Sequence, residues 1–151
     1  MPVRTKRWNE PPDGDPSGSG SASSSRPGDG FRVLVCRYRP RGVKKEDEPW
    51  DAWMEDLGPS RELHAAYWGK RGQTPISWDE YQRRYLHEVR RPSDRGAAML
   101  GALAARVAAG QTVTLLCSSA CTDPARCHRT LLAGLVERAA ARATTKTRAS
   151  R

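Results

Sequence analysis

The sequence predicts a small three-layer α/β domain, with a short parallel sheet of about three strands covered by about five helices. Three observations carry this. Two near-continuous apolar runs, residues 33–36 and 113–117, read as strands buried on both faces, which calls for a sheet covered by helices. Helical patterns fill most of the chain between and after them, so the strands run parallel and are joined by crossovers. A length of 151 residues suits one domain with a real core and is too short for two comfortable ones.

Taken in order, residues 3–8 fit a short strand whose Arg4, Lys6 and Arg7 mark it as an edge. Pro, Gly, Ser and Asp dominate from about 12 to 30 with no apolar periodicity, so a disordered Ser/Gly-rich insertion is expected there. Residues 31–36 form the clearest strand of the first half, and Pro40 and Gly42 break the basic stretch after it into a loop. Trp50, Trp53, Met54 and Leu57 share one helical face, which predicts a short helix over 49–57. Ser60 is a natural cap for a helix over 61–68. Ser77 and Glu80 make a capping box for a longer helix carrying Tyr81, Tyr85 and Val89 and ended by Arg91-Pro92. Ser93 starts another, running to about Ala109 before Gly110, with Met99, Leu100, Leu103 and Val107 as its buried stripe. After strand 113–117, Asp123 and Pro124 open a final helix to about Arg142, with Leu131, Leu132, Leu135 and Val136 on its apolar face. Residues 1–142 are thus expected as one domain, and 143–151 as a basic disordered tail.

The net charge is +9. Residues 1–30 hold four basic and four acidic side chains, and 142–151 add four basic ones, leaving +5 for the body. A basic surface favours nucleotides, nucleic acids or other anions as partners; for the tail, a solvated basic end is the plainer reading. No run approaches the ~18 apolar residues of a membrane span, and the N-terminus lacks the apolar centre of a signal peptide. No membrane association is therefore expected, and the cytoplasm is the expected location. Thiols stay reduced there, so four cysteines point to packing, metal or catalysis before disulfides.

Three of those cysteines and one of the three histidines fall within residues 112–129. The loops after Cys36 and Cys117 should leave a parallel sheet at the same edge. That brings Arg37, Arg39 and Arg41 towards Cys127, His128 and Arg129, a pocket for phosphate or carboxylate at a helix start. Tyr38 or Trp53 would stack on a base. The alternative is that these arginines pair with Asp47, Glu48, Asp51, Glu55 and Asp56 and hold the loop. Cys127, expected in the first helical turn beside Arg126 and Arg129, is a candidate nucleophile with a lowered pKa, and His128 a candidate proton carrier. Otherwise Cys127 packs under the helix and His128 is a buried histidine hydrogen-bonded to the strand loop. The Cys-x5-Arg of phosphatase and rhodanese loops is absent: Asp123 stands six after Cys117, and Cys127 six after Cys121. As a third reading, Cys117, Cys121, Cys127 and His128 have the ligand types of a structural zinc site. Adjacent residues on one helix diverge by about 100°, however, so Cys36 is a candidate to replace His128. His64 and His87 have no partner set and read as surface or packing residues.

Several blocks resemble the YeaO-like proteins of domain-of-unknown-function family 488. They are Arg32-Val33-Leu34-Val35 with Arg37, Pro40-Arg41-Gly42-Val43 with Lys45, and Trp53 with Asp56-Leu57, Pro59-Ser60 and Leu63. Trp78, Tyr81 and Tyr85, Cys117, and Cys127-His128-Arg129 continue the resemblance, which covers most of residues 3–140 and makes residues 13–29 an insertion. Many YeaO-like members carry Asp where this chain has Cys36, and Leu-Trp in place of Tyr38-Arg39. The family is uncharacterised, so the resemblance bears on fold and not on reaction. The leading expectation is a cytoplasmic protein that binds an anionic ligand, a nucleotide or nucleic acid, through Arg37, Arg39, Arg41 and Arg129 beside Cys127 and His128. The alternatives are a thiol-dependent enzyme and a zinc-stabilised interaction module. No cofactor is assigned.

Overall fold

A computed structural model describes residues 3–13, 28–91 and 94–149. The expected insertion falls largely on residues 14–27, and the expected helix boundary at Pro92 and Ser93 on residues 92–93. Both lie outside the described residues.

The sheet has four parallel strands in the order β1-β4-β2-β3: β1 (Val3–Arg7), β2 (Phe31–Leu34), β3 (Ala52–Trp53) and β4 (Val113–Cys117). β4 lies at the centre, with Val113 to Cys117 opposite Val3 to Arg7 on one side and Val113 to Leu116 opposite Phe31 to Leu34 on the other. All of β4 is buried, as its apolar run requires, and the hydroxyl of its one polar residue, Thr114, donates to the Asp29 carbonyl at 2.7 Å. The basic strand β1 is an edge, as expected.

The helix expected over 49–57 is instead the short strand β3 followed by a 3-10 turn, Glu55–Leu57. The open side of β2 explains this. Asp51 N–H donates to the Arg32 carbonyl at 2.7 Å and Met54 N–H to the Leu34 carbonyl at 2.8 Å, while the Asp51 carboxylate accepts from Arg32 N–H at 2.8 Å. Exposed strand groups need partners, and a helix this short has little stability of its own to compete with them. Among the described residues the sheet has four strands where about three were expected, and there are four α-helices where about five were.

Those helices are α1 (Arg61–Trp68), α2 (Trp78–Arg90), α3 (Asp94–Ala108) and α4 (His128–Ala149). Ser60 Oγ accepts from Leu63 N–H at 3.1 Å, and Ser77 Oγ from Glu80 N–H at 3.2 Å. Half of the expected capping box forms, because the Glu80 carboxylate turns to Arg83 and Arg84. α4 continues well past Arg142, so residues 143–149 are helix where a disordered tail was expected. No Gly or Pro interrupts the chain after Gly134, and Ala, Arg and Lys are good helix formers. Among the described residues no helix is long and apolar enough to cross a membrane.

Side chains alternate across the sheet. One face buries Val33, Val35, Val113 and Leu115 against Leu63 of α1, Tyr81 and Tyr85 of α2, Leu103 of α3, and Leu132 and Val136 of α4. The other face carries Leu34, Cys36 and Leu116, grouped with Cys117, Cys127 and Trp50 and flanked by Trp8, Val43 and Cys121. This second cluster includes no helical residue, so loops supply the layer for which helices were expected. All four cysteines belong to it.

Candidate thiol-histidine site and its cleft

β2 and β4 are parallel with Leu34 opposite Leu116, so the segments that follow them emerge side by side. The chain leaves β4 at Cys117 and turns sharply: Cys121 N–H donates to the Ser118 carbonyl at 3.0 Å, and Ala120 N–H to Ser118 Oγ at 3.2 Å. Asp123 then caps a single 3-10 turn, Pro124–Arg126, through Ala125 N–H at 3.0 Å. Cys127 is extended (φ −137°, ψ 141°), and α4 begins only at His128. The expectation that Pro124 opens the long helix, with Cys127 in its first turn, is corrected here: the proline turn is a separate element. The 100° divergence between consecutive helical side chains therefore does not apply to Cys127 and His128.

Cys117 Sγ lies 3.8 Å and Cys127 Sγ 4.0 Å from His128 Nδ1, and Cys117 Sγ is 3.4 Å from Cys121 Sγ. The ligand atoms of Cys117, Cys127 and His128 all fall within 4.8 Å of one another, close enough to share one metal ion. The opposite edge of the imidazole is fixed, with Nε2 2.8 Å from the Val35 carbonyl just past β2. A carbonyl only accepts, so Nε2 carries the proton and the Nδ1 lone pair faces the sulfurs. Burial lowers the His128 pKa and keeps the ring neutral. The thiols divide their protons unevenly. Hydrogen bonds from Cys117 and Cys127 pull Cys121 down to about 3, a thiolate, helped by the nearby Arg129 charge. The Cys121 contact, with Cys36 and burial, pushes Cys117 up against an opposing hydrogen bond with Cys127, and hydrogen bonds with Cys117 and then Cys121, with burial, push Cys127 up. Cys121 is half-buried, whereas Cys36, Cys117 and Cys127 are buried.

A cleft of about 590 Å³ opens above this group. Cys36, Cys117, Cys121, Cys127 and His128 line it, as do the cations Arg37, Lys70 and Arg126 and the rings of Tyr38, His64, Tyr67 and Trp68. α1 supplies one wall. Its His64 packs edge-on to Tyr38, with ring centres 5.2 Å apart, and burial, then the Lys70 charge, lowers the His64 pKa.

The four expected anion-binding arginines are dispersed. Arg37 lines the cleft, but its guanidinium donates to the Pro59 carbonyl at 2.8 Å and to Asp56 and the Gly58 carbonyl, both at 3.3 Å. Arg39 pairs with Glu48 at 2.9 Å and lies over the Trp50 ring. Arg41 is exposed and does not line the cleft. Arg129 is buried, donating to the Cys121 carbonyl at 3.4 Å, while its Nε and Nη1 have no hydrogen-bond partner. Trp53 does not line the cleft either; its Nε1 donates to the Cys36 carbonyl at 2.8 Å. Carboxylates at 48 and 56 claim two of the arginines. The cleft cations that sequence reasoning did not assign to ligand are Lys70 and Arg126. Arg126 is adjacent to Cys127 in the chain, and that adjacency is its signal. Lys70, past the left-handed Gly69 at the end of α1, carries no such signal.

The chain matches the family model DUF488-N3a, described as the active DUF488-N3 subclade, over residues 20–140, and it belongs to that family. It is 34% identical over 91 residues to the uncharacterized protein YeaO of Escherichia coli (strain K12), a match covering 60% of this chain and 71% of YeaO. Uncharacterized proteins of Mycobacterium tuberculosis and Mycobacterium bovis are 40% identical to it over 63 residues, covering 42% of this chain and 50% of theirs. No solved structure matches.

Proposed function

We propose that this DUF488-N3a protein binds a small anionic ligand with an aromatic part, a nucleotide, in the cleft at the strand ends. The observation that carries the reading is that one cleft combines Lys70 and Arg126 with the half-exposed rings of Tyr38 and Trp68. Cations suit a phosphate and rings a base. Its size of about 590 Å³ lies in the usual range for small-molecule sites, and the carboxyl edge of a parallel sheet is where such sites gather. A cleft of this size with two ligand-facing cations favours a nucleotide over a nucleic acid, which would call for an extended basic track. The four free cysteines fit a reducing, cytoplasmic setting.

Titration with adenosine monophosphate, followed by tryptophan fluorescence, tests this. Binding should weaken with salt and fall about tenfold in Lys70→Ala or Arg126→Ala, the loss of one charge-assisted contact. Arg39→Ala, whose charge is already paired, should bind as the parent does. No saturable binding of the nucleotide, or equal binding by all three variants, would overturn the proposal.

A second reading, thiol-dependent chemistry, is favoured by the position of Cys121, the one half-buried cysteine and a lining residue of the cleft, where hydrogen bonds from Cys117 and Cys127 lower its pKa. The nucleophile is then Cys121 and not Cys127, which is buried and held protonated. In chelator-treated protein, iodoacetamide should alkylate Cys121 at about pH 6, where an ordinary cysteine is largely unreactive. Labelling that persists in Cys121→Ser would exclude it.

A further inference from the structure

We propose that the sulfur-nitrogen group in the cleft is a zinc site, in which Cys117, Cys121, Cys127 and Nδ1 of His128 hold one Zn²⁺ tetrahedrally. The inference stands apart from the nucleotide reading and uses none of the cleft's cations or aromatic walls.

Ligand spacing is the first argument. Tetrahedral zinc, with bonds of about 2.3 Å to sulfur and about 2.0 Å to nitrogen, sets its ligand atoms roughly 3.5–3.8 Å apart. Cys117 Sγ, Cys127 Sγ and His128 Nδ1 already lie within 4.8 Å of one another, with 3.8 and 4.0 Å from the two sulfurs to Nδ1. Cys121 Sγ, 3.4 Å from Cys117 Sγ, stands outside that set and closes onto the ion as the fourth ligand. The histidine is prepared in the manner of a zinc ligand, because its Nε2–H is spent on the Val35 carbonyl and its Nδ1 lone pair is aimed at the sulfurs. The backbone permits the set because Cys127 is extended before the helix, so that it and His128 converge. Three thiolates and one Zn²⁺ leave a single negative charge. Buried Arg129, bonded to the Cys121 carbonyl and with Nε and Nη1 unpartnered, stands beside it as counter-charge. Binding releases the thiol protons to solvent and involves no redox step. The ion would tie the end of β4 to the start of α4 across a loop that otherwise holds only short turns. Cys36 stays outside the set; its thiol faces the Leu116 carbonyl at 4.0 Å.

The test is elemental analysis of the purified full-length protein, followed by replacement of zinc with Co²⁺. One zinc per chain is expected, and the cobalt form should show intense sulfur-to-cobalt charge transfer with the visible bands of a tetrahedral site. Cys121→Ser should shift and weaken the charge transfer, and Cys117→Ser or Cys127→Ser should lose the ion or the fold. Cys36→Ser should keep both metal and spectrum. Because the buried-cysteine variants can fail to fold, the parent protein decides first: a folded chain that takes up neither zinc nor cobalt, with four reactive thiols, overturns the proposal. So does a cobalt spectrum altered by Cys36→Ser and unaltered by Cys121→Ser. Lys70→Ala and Arg126→Ala should keep one zinc while binding nucleotide about tenfold more weakly, which separates failure of this site from failure of the ligand reading.

Discussion

Asp29 and Arg32 are both fully buried, paired at 2.6 Å beneath the loop that follows β1, with Lys6 also 2.9 Å from Asp29. Arg32 further donates to the Glu10 carbonyl at 2.9 Å. Asp29→Ala removes the buried carboxylate that both Arg32 and Lys6 face, so it should cost about 3–5 kcal/mol, read from urea unfolding. Tyr85 makes a smaller point of the same kind. Its hydroxyl donates to the Leu57 carbonyl at 2.7 Å in the main core, and Tyr85→Phe should cost about 1–2 kcal/mol by leaving that acceptor unmet. Neither pairing was legible in the sequence, where Arg32 is one residue of an apolar strand and Tyr85 one position of a helical stripe. The clustering of Cys117, Cys121, Cys127 and His128 was legible, because the four residues lie within twelve positions of a strand-to-helix turn.

At the scale of elements, the close approach of the 3-10 turn to the end of β2 rests on Gly58. A Cβ there would stand 2.5 Å from Arg37 N and 2.9 Å from the Cys36 carbonyl carbon, both backbone. Gly58→Ala should therefore lower stability by about 1–3 kcal/mol and disturb the cleft wall at Arg37, seen as weaker nucleotide binding. The far end of α4 contrasts with this. Residues 141–146 are exposed, so Thr145→Ala, which removes only a hydroxyl bonded to the Ala141 carbonyl, should unfold within about 0.5 kcal/mol of the parent. Elements with a local signature were readable in advance, notably the caps at Ser60 and Ser77 and the buried strand β4. The segment 49–57 was not, since its helical periodicity is real and only the open side of β2 overrules it.

Over the whole molecule, burial lowers the pKa values of His64 and His128, while the unfolded chain protonates both near the usual value of about 6.5. The unfolded state thus binds more protons below that pH, so stability is held above about 6.5 and lost as pH falls beneath it. Urea midpoints of metal-free protein at about pH 7.5 and about pH 5.5 should differ in that direction, and His64→Gln should remove part of the difference. By itself the sequence determined the parallel α/β class, the core strands, three helix bodies (61–68, 78–90 and the 94–108 stripe), and the gathering of thiols and a histidine at one strand end. Apolar periodicity, caps and short loops act between residues a few positions apart, so they are written locally. Only the tertiary structure decided that β3 exists, that Arg37 and Arg39 are held by Asp56 and Glu48, and that Lys70, Arg126 and the α1 rings surround the cleft. Those outcomes depend on which carboxylates, carbonyls and open strand edges the crossovers bring within reach. A charged side chain takes the nearest partner in space, and the order of residues along the chain does not name that partner.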